Sequence, residues 1–72
     1  MTPDTLRTTY DPEADAMYIY VAQARIIESE EVRPGLIIDF GEGDRIVGIE
    51  ILDASRTVAQ GATTRLPPRA AE

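Results

Sequence analysis

The chain has no cysteine, no histidine, no lysine and no tryptophan, and its aromatic residues are three tyrosines and one phenylalanine among 72 residues. Each gap removes a kind of chemistry. Without cysteine or histidine, disulfides and the usual structural zinc sites are excluded. Ser29 and Ser55 have no histidine, lysine or cysteine to serve as base or partner, which removes the common triads and Schiff-base catalysis. Enzymatic activity of its own is therefore not expected, nor is a cofactor. No run approaches the roughly 18 apolar residues of a membrane span. The N-terminus also lacks a charged start followed by an apolar stretch and a cleavage site, so a soluble cytoplasmic protein is the expectation.

What is present is mostly acidic. Thirteen carboxylates stand against seven basic residues, all arginine, for a net charge of -6. The arginines are scattered among the carboxylates and form no basic face to neutralise phosphates, so nucleic acid is not an expected partner. A chain of this length forms one domain and buries a smaller share of its surface than a larger one. With staples excluded, oligomerisation is the remaining source of buried area. A homo-oligomer, most simply a dimer, is expected.

Along the chain, Leu6 to Tyr10 suits a first strand that stops at Asp11-Pro12, where proline removes a ladder donor. Met17 to Val21 alternates Met17, Ile19 and Val21 against Tyr18 and Tyr20, the period of a strand. Arg25 to Val32 admits strand or helix. Its apolar residues make a poor helical stripe, and a strand turning at Pro34-Gly35 fits better. Leu36 to Phe40 and Arg45 to Leu52 flank the loop Gly41-Glu42-Gly43-Asp44 as a hairpin. Asp53 or Ser55 then suits the cap of a helix of two turns at most, ended by Gly61. The fold expected is mainly β: an antiparallel β-meander of four to five short strands, then one short C-terminal helix. Residues 1–61 form the domain and 62–72, with Pro67-Pro68, a disordered tail.

A four-residue loop sets Phe40 opposite Arg45, Asp39 opposite Ile46, Ile38 opposite Val47, Ile37 opposite Gly48 and Leu36 opposite Ile49. One face then collects Leu36, Ile38, Val47, Ile49 and Ile51 as the core. The other face is mixed, with Ile37, Asp39, Ile46, Gly48, Glu50 and Leu52. Gly48 interrupts a β-branched strand, which marks a bulge or a place where a neighbour comes close.

The segments YDPEADAMYI (Tyr10 to Ile19), PGLIIDF (Pro34 to Phe40) and RIVGIEILDAS (Arg45 to Ser55) resemble the prokaryotic domain-of-unknown-function family numbered 2283. The resemblance covers most of residues 6–55 and implies a small β-rich domain. It carries no catalytic residue. It also suggests an antitoxin or partner-binding role, because some members look as though they are encoded beside toxin-like proteins. One departure is Asp44, where the family's pattern tends to place glycine before the arginine; turn type and register depend on it.

Asp11, Glu13 and Asp15 alternate like the start of a calcium loop, but Ala16 stands where glycine is needed and Ala22 where the closing glutamate belongs. They remain weak metal candidates beside their reading as turn caps. Asp39 and Glu50 share a face, yet the register above separates them by four residues, about 13 Å at ~3.4 Å each, too far for a glycosidase-like pair. Gly41-Glu42-Gly43 precedes no helix, so a tight turn accounts for it better than a phosphate cradle. Tyr18, Tyr20, Ile37, Ile46 and Leu52 form the candidate interaction surface, more readily for self-association than for a ligand. A small-ligand or metal-binding protein, or a non-catalytic subunit of a larger assembly, are the alternatives.

Overall fold

The structure of the chain is a computed structural model that describes residues 7–59, 61 and 62. Among the described residues there are five strands: β1 (Arg7–Asp11), β2 (Ala16–Tyr20), β3 (Glu28–Arg33), β4 (Leu36–Phe40) and β5 (Ile46–Leu52). A 3-10 turn, Glu42–Asp44, joins β4 to β5, and one helix, α1 (Ala54–Thr57), follows β5. The strands form a single antiparallel sheet in the order β1-β2-β5-β4-β3. This is the mainly β fold the alternation implies. The meander runs through β3, β4 and β5, and the β1–β2 hairpin joins it by pairing β2 with β5. The last of the described strands is thereby the middle one.

Arg25 to Val32, open to either reading in sequence, is strand from Glu28 onward. Its turn into β4 is Pro34-Gly35, with Gly35 at φ 82, the positive φ that a Pro-Gly type II turn requires. Between β1 and β2 the Asp11 carboxylate accepts from the backbone N–H of Glu13 at 3.0 Å and of Ala14 at 3.4 Å, so it caps the turn after Pro12. Leu6 of the expected first strand, and the expected tail beyond Ala62, lie outside the described residues.

The register of the β4–β5 hairpin differs from the one its loop length suggests. Leu36 lies opposite Ile51, Ile37 opposite Glu50, Ile38 opposite Ile49, Asp39 opposite Gly48, and Phe40 opposite Ile46 after a shift of register. The cause is local. Asp44 takes a left-handed φ of 60, which Asp tolerates better than most residues, and the turn closes with Gly41 N–H donating to the Arg45 carbonyl at 2.7 Å. Asp44 thus supplies the conformation that glycine would supply. An extra β5 residue is then absorbed as a bulge between Asp39 and Phe40 of the partner strand. Because the net slip is an even number of residues, the expected core set still shares a face.

The helix is also shorter than its caps imply. It ends at Thr57, well before Gly61, and neither Asp53 nor Ser55 caps it through its side chain: Asp53 sits at φ 50 with no side-chain cap bond. Ser55 is engaged elsewhere, as described below. Among the described residues no helix is long and apolar enough to cross a membrane.

Two faces result. Thr8, Tyr10, Met17, Ile19, Leu36, Ile38, Val47, Ile49 and Ile51 lie on one, the apolar face. Of these, Met17 and Val47 are buried and the others half-buried. The opposite face holds Thr9, Ala16, Tyr18 and Asp39, all buried, around Gly48. A Cβ added at Gly48 collides with the Tyr18 hydroxyl and ring edge. Gly48→Ala is accordingly expected to destabilise by about 1–3 kcal/mol, as overpacking does. A urea titration checks this, with Gly43→Ala as a comparison: its site is spatially open, so only its positive φ opposes the change.

Candidate functional site

The opposite face carries a continuous row of side-chain contacts that reaches all five strands. On β1 the Arg7 guanidinium lies 4.4 Å from the centroid of the Tyr20 ring on β2. Tyr20 meets Tyr18 edge to face, centroids 4.5 Å apart and planes at 68°. Tyr18 extends across β5 over Gly48, and its hydroxyl donates to Asp39 Oδ2 on β4 at 2.5 Å. The Ser29 hydroxyl on β3 donates to Asp39 Oδ1, also at 2.5 Å. Asp39 is 8% exposed, so its carboxylate needs these donors: a buried charge without partners is costly, and each bond to a charged group contributes about 1.5–3 kcal/mol net. Thr9 Oγ1, buried beside this row, has no hydrogen-bond partner among the described residues.

This arrangement revises the sequence reading of the carboxylates. Asp39 lies opposite Gly48, so Glu50 is two residues along, about 7 Å at ~3.4 Å per residue, and not four. Separation alone does not keep the pair from joint chemistry. Each oxygen of Asp39 accepts a hydrogen bond, Oδ2 from the Tyr18 hydroxyl and Oδ1 from that of Ser29, so the carboxylate is held in place.

A second cluster ties the β1–β2 turn to the helix. Asp15, at φ 53, accepts from the Tyr10 hydroxyl at 2.7 Å, the Ser55 backbone N–H at 3.0 Å and the Ser55 hydroxyl at 2.7 Å. The Ala54 N–H donates to the Asp15 carbonyl at 2.9 Å, and Ala54 is fully buried. The Tyr10 bond, followed by that of the Ser55 hydroxyl, holds the Asp15 carboxyl below its ordinary value near 3.8. Asp11, Glu13 and Asp15 do not converge. Among the described residues no group of three or more carboxylates is placed to hold a metal ion.

Of the candidate interaction residues, Tyr18, Tyr20, Ile37 and Leu52 share the face opposite the apolar one. Tyr18 is only 5% exposed, because it is committed to Asp39. Ile46 lies at the register shift and is 43% exposed. Near it, Ala22, Ala24, Gly41, Arg45 and Val47 line a shallow cleft at the end of the sheet. Sequence reasoning missed the Tyr18–Asp39–Ser29 and Asp15–Ser55 contacts. The one sequence signal for the first was Gly48, whose missing side chain makes room for Tyr18.

Among the described residues, a single-layer antiparallel sheet, tied on one face by hydroxyl–carboxylate bonds and closed by a one-turn helix, defines a small β-rich domain whose activity its geometry does not announce. The chain belongs to the family described as "Protein of unknown function (DUF2283)", whose pattern matches residues 7–55. It is also similar to a Methanosarcina mazei protein described as "Putative hypoxanthine phosphoribosyltransferase", with 44% identity over 46 residues. That match takes in 64% of this chain and 37% of the relative, so the chain spans little more than a third of that protein's length. No solved structure matches the chain.

Two outcomes follow from the hydroxyl–carboxylate bonds. Tyr18→Phe should lower unfolding stability by about 1–3 kcal/mol, and a double-mutant cycle with Asp39→Asn should return a coupling of about 0.5–3 kcal/mol. A coupling near zero in urea titrations contradicts the contact. Asp15 gives a pH signature. Its carboxyl value is lower folded than unfolded, so its stabilisation is complete above about 3.8 and is lost as pH falls through the lowered folded value. Asp15→Asn should flatten that part of the acid-unfolding profile and leave the region above pH ~5 with the same slope.

Proposed function

We propose that this chain is a non-catalytic binding module that acts by association, first with a second copy of itself and, in that form, with a protein partner. The observation that carries the reading is the sheet's single layer. Stable domains bury a sheet's apolar face against another layer. Here the described residues supply only a four-residue helix, ~6 Å long at 1.5 Å per residue, against a face of five strands. An antitoxin-like role is one form of this reading, in which the partner is a toxin-like protein encoded nearby. The absence of histidine, lysine and cysteine, and the structural use of both Asp39 oxygens in tying strands together, support a binding role over a catalytic one.

The similarity to the M. mazei protein favours a second reading, that this unit serves as an accessory part of a larger assembly. Phosphoribosyl transfer by the chain alone is not the reading we favour. Phosphates are held by basic residues or helix N-termini, and this chain is acidic, with its glycine-bearing loop between two strands.

Self-association is tested by sedimentation. Two copies that each carry -6 repel one another, whereas apolar contact does not depend on charge. The dimer should therefore tighten as salt rises from about 0.05 to 0.5 M, the range over which screening shortens from more than 10 Å to a few ångströms. A species that stays monomeric at high micromolar concentration throughout removes the reading. A thermal-shift screen against divalent cations and metabolites addresses the ligand alternative, since binding to the folded state raises the melting temperature with concentration.

A further inference from the structure

The apolar face is complementary to itself in the order of its residues. One cross-strand row reads Thr8, Ile19, Ile49, Ile38, Glu30, and the next reads Tyr10, Met17, Ile51, Leu36, Arg33. In both rows, β1 contributes a hydroxyl, the three middle strands contribute apolar side chains, and the β3 edge contributes a charge. We propose that this face is the homodimer interface, with a second copy stacked on it as the other layer of a β-sandwich. The proposal rests on the self-association reading above and adds which surface is used.

The charges support a second copy as the occupant. Facing sheets of a two-fold dimer are related by an axis lying between them. An axis along β5 sets β1 over the partner's β3, so Glu30 and Arg33 meet the partner's Thr8 and Tyr10. An axis across the strands, between the two rows, sets Glu30 over the partner's Arg33. Either arrangement keeps three apolar positions of each row in the centre and stacks no like charges in these rows. Glu28, the remaining charged residue of β3 on this side, is exposed at the far end of the edge strand.

The other face is a poorer match to itself. Its buried polar groups are already committed within the chain, Tyr18 and Ser29 to Asp39, and its central strand sets the charged side chain of Glu50 between the layers, a desolvation cost that an aliphatic face does not carry. Self-association is thereby assigned to the side away from Tyr18 and Tyr20.

The absence of cysteine makes the test clean. Packed sheets lie about 10 Å apart, so a bismaleimide of about that span reports facing positions. Single-cysteine variants Thr8→Cys and Glu30→Cys sit at the two edges of the apolar face, and Arg7→Cys and Glu31→Cys sit beside them on the opposite face. Each is treated alone and in a mixture with its counterpart on the same face, and sedimentation is recorded alongside. The expected result is a dimeric mass with the monomer band lost to a cross-linked dimer for the Thr8 and Glu30 variants, mixed or alone according to the axis. The Arg7 and Glu31 variants should stay uncross-linked. A dimeric mass with cross-links at Arg7 or Glu31, or with none at Thr8 and Glu30, overturns the choice of face while self-association stands. A monomeric mass overturns both.

Discussion

The bond from Tyr18 to Asp39, passing over Gly48, is the constraint on which the rest of the sheet depends. Tyr18 belongs to β2 and Asp39 to β4, so the contact links the two strands that flank β5. Three requirements meet there. Gly48 must lack a side chain, Asp39 must receive donors because it is buried, and Tyr18 must lie flat against the sheet. Ser29 extends the tie to the β3 edge and Arg7 to the β1 edge. A five-stranded sheet this small has few apolar contacts to hold its register, and a directional bond across its middle supplies what packing alone does not.

The two faces therefore do different work. On one, polar side chains are spent on each other, so several are buried even though the face is chemically mixed. On the other, aliphatic side chains point outward and most remain half-buried. In a larger domain a helix or second sheet would cover them. Here the helix of the described residues, α1, is a single turn fixed to the β1–β2 turn through Asp15 and Ser55, at the end of the sheet.

Much of the architecture was legible in the sequence. Alternation marked β2, the two apolar runs flanking the Gly41 to Asp44 loop marked β4 and β5, Pro34-Gly35 marked the β3–β4 turn, and the even slip of register left the apolar set on one face. The hairpin pairing was not legible, because it turned on the left-handed conformation of Asp44 and on a bulge, and neither changes the hydrophobic pattern. Nor were the partners of Asp39 and Asp15. Tyr18 and Asp39 are 21 residues apart and Asp15 and Ser55 are 40 apart, and no local periodicity encodes such contacts. Gly48 was the exception, a gap in a β-branched run that signalled close approach without naming the visitor. Family membership was legible in the Gly48 to Ser55 run, and it too stopped short of a function.

The placement of β5 bears on how the chain reaches this fold. The β1–β2 hairpin closes locally, as does β3–β4, but neither pairs its backbone with the other: each is hydrogen-bonded to β5, the last of the five described strands and the middle one of the sheet. On a ribosome, the earlier strands emerge as two separate hairpins, each only marginally stable in water. The sheet becomes one cooperative unit when β5 inserts between them, closing the long β2–β5 connection whose entropy cost is unrewarded until then. Without β5 the two hairpins would lose their shared backbone partner, and the Tyr18–Asp39 bond would have no strand to cross.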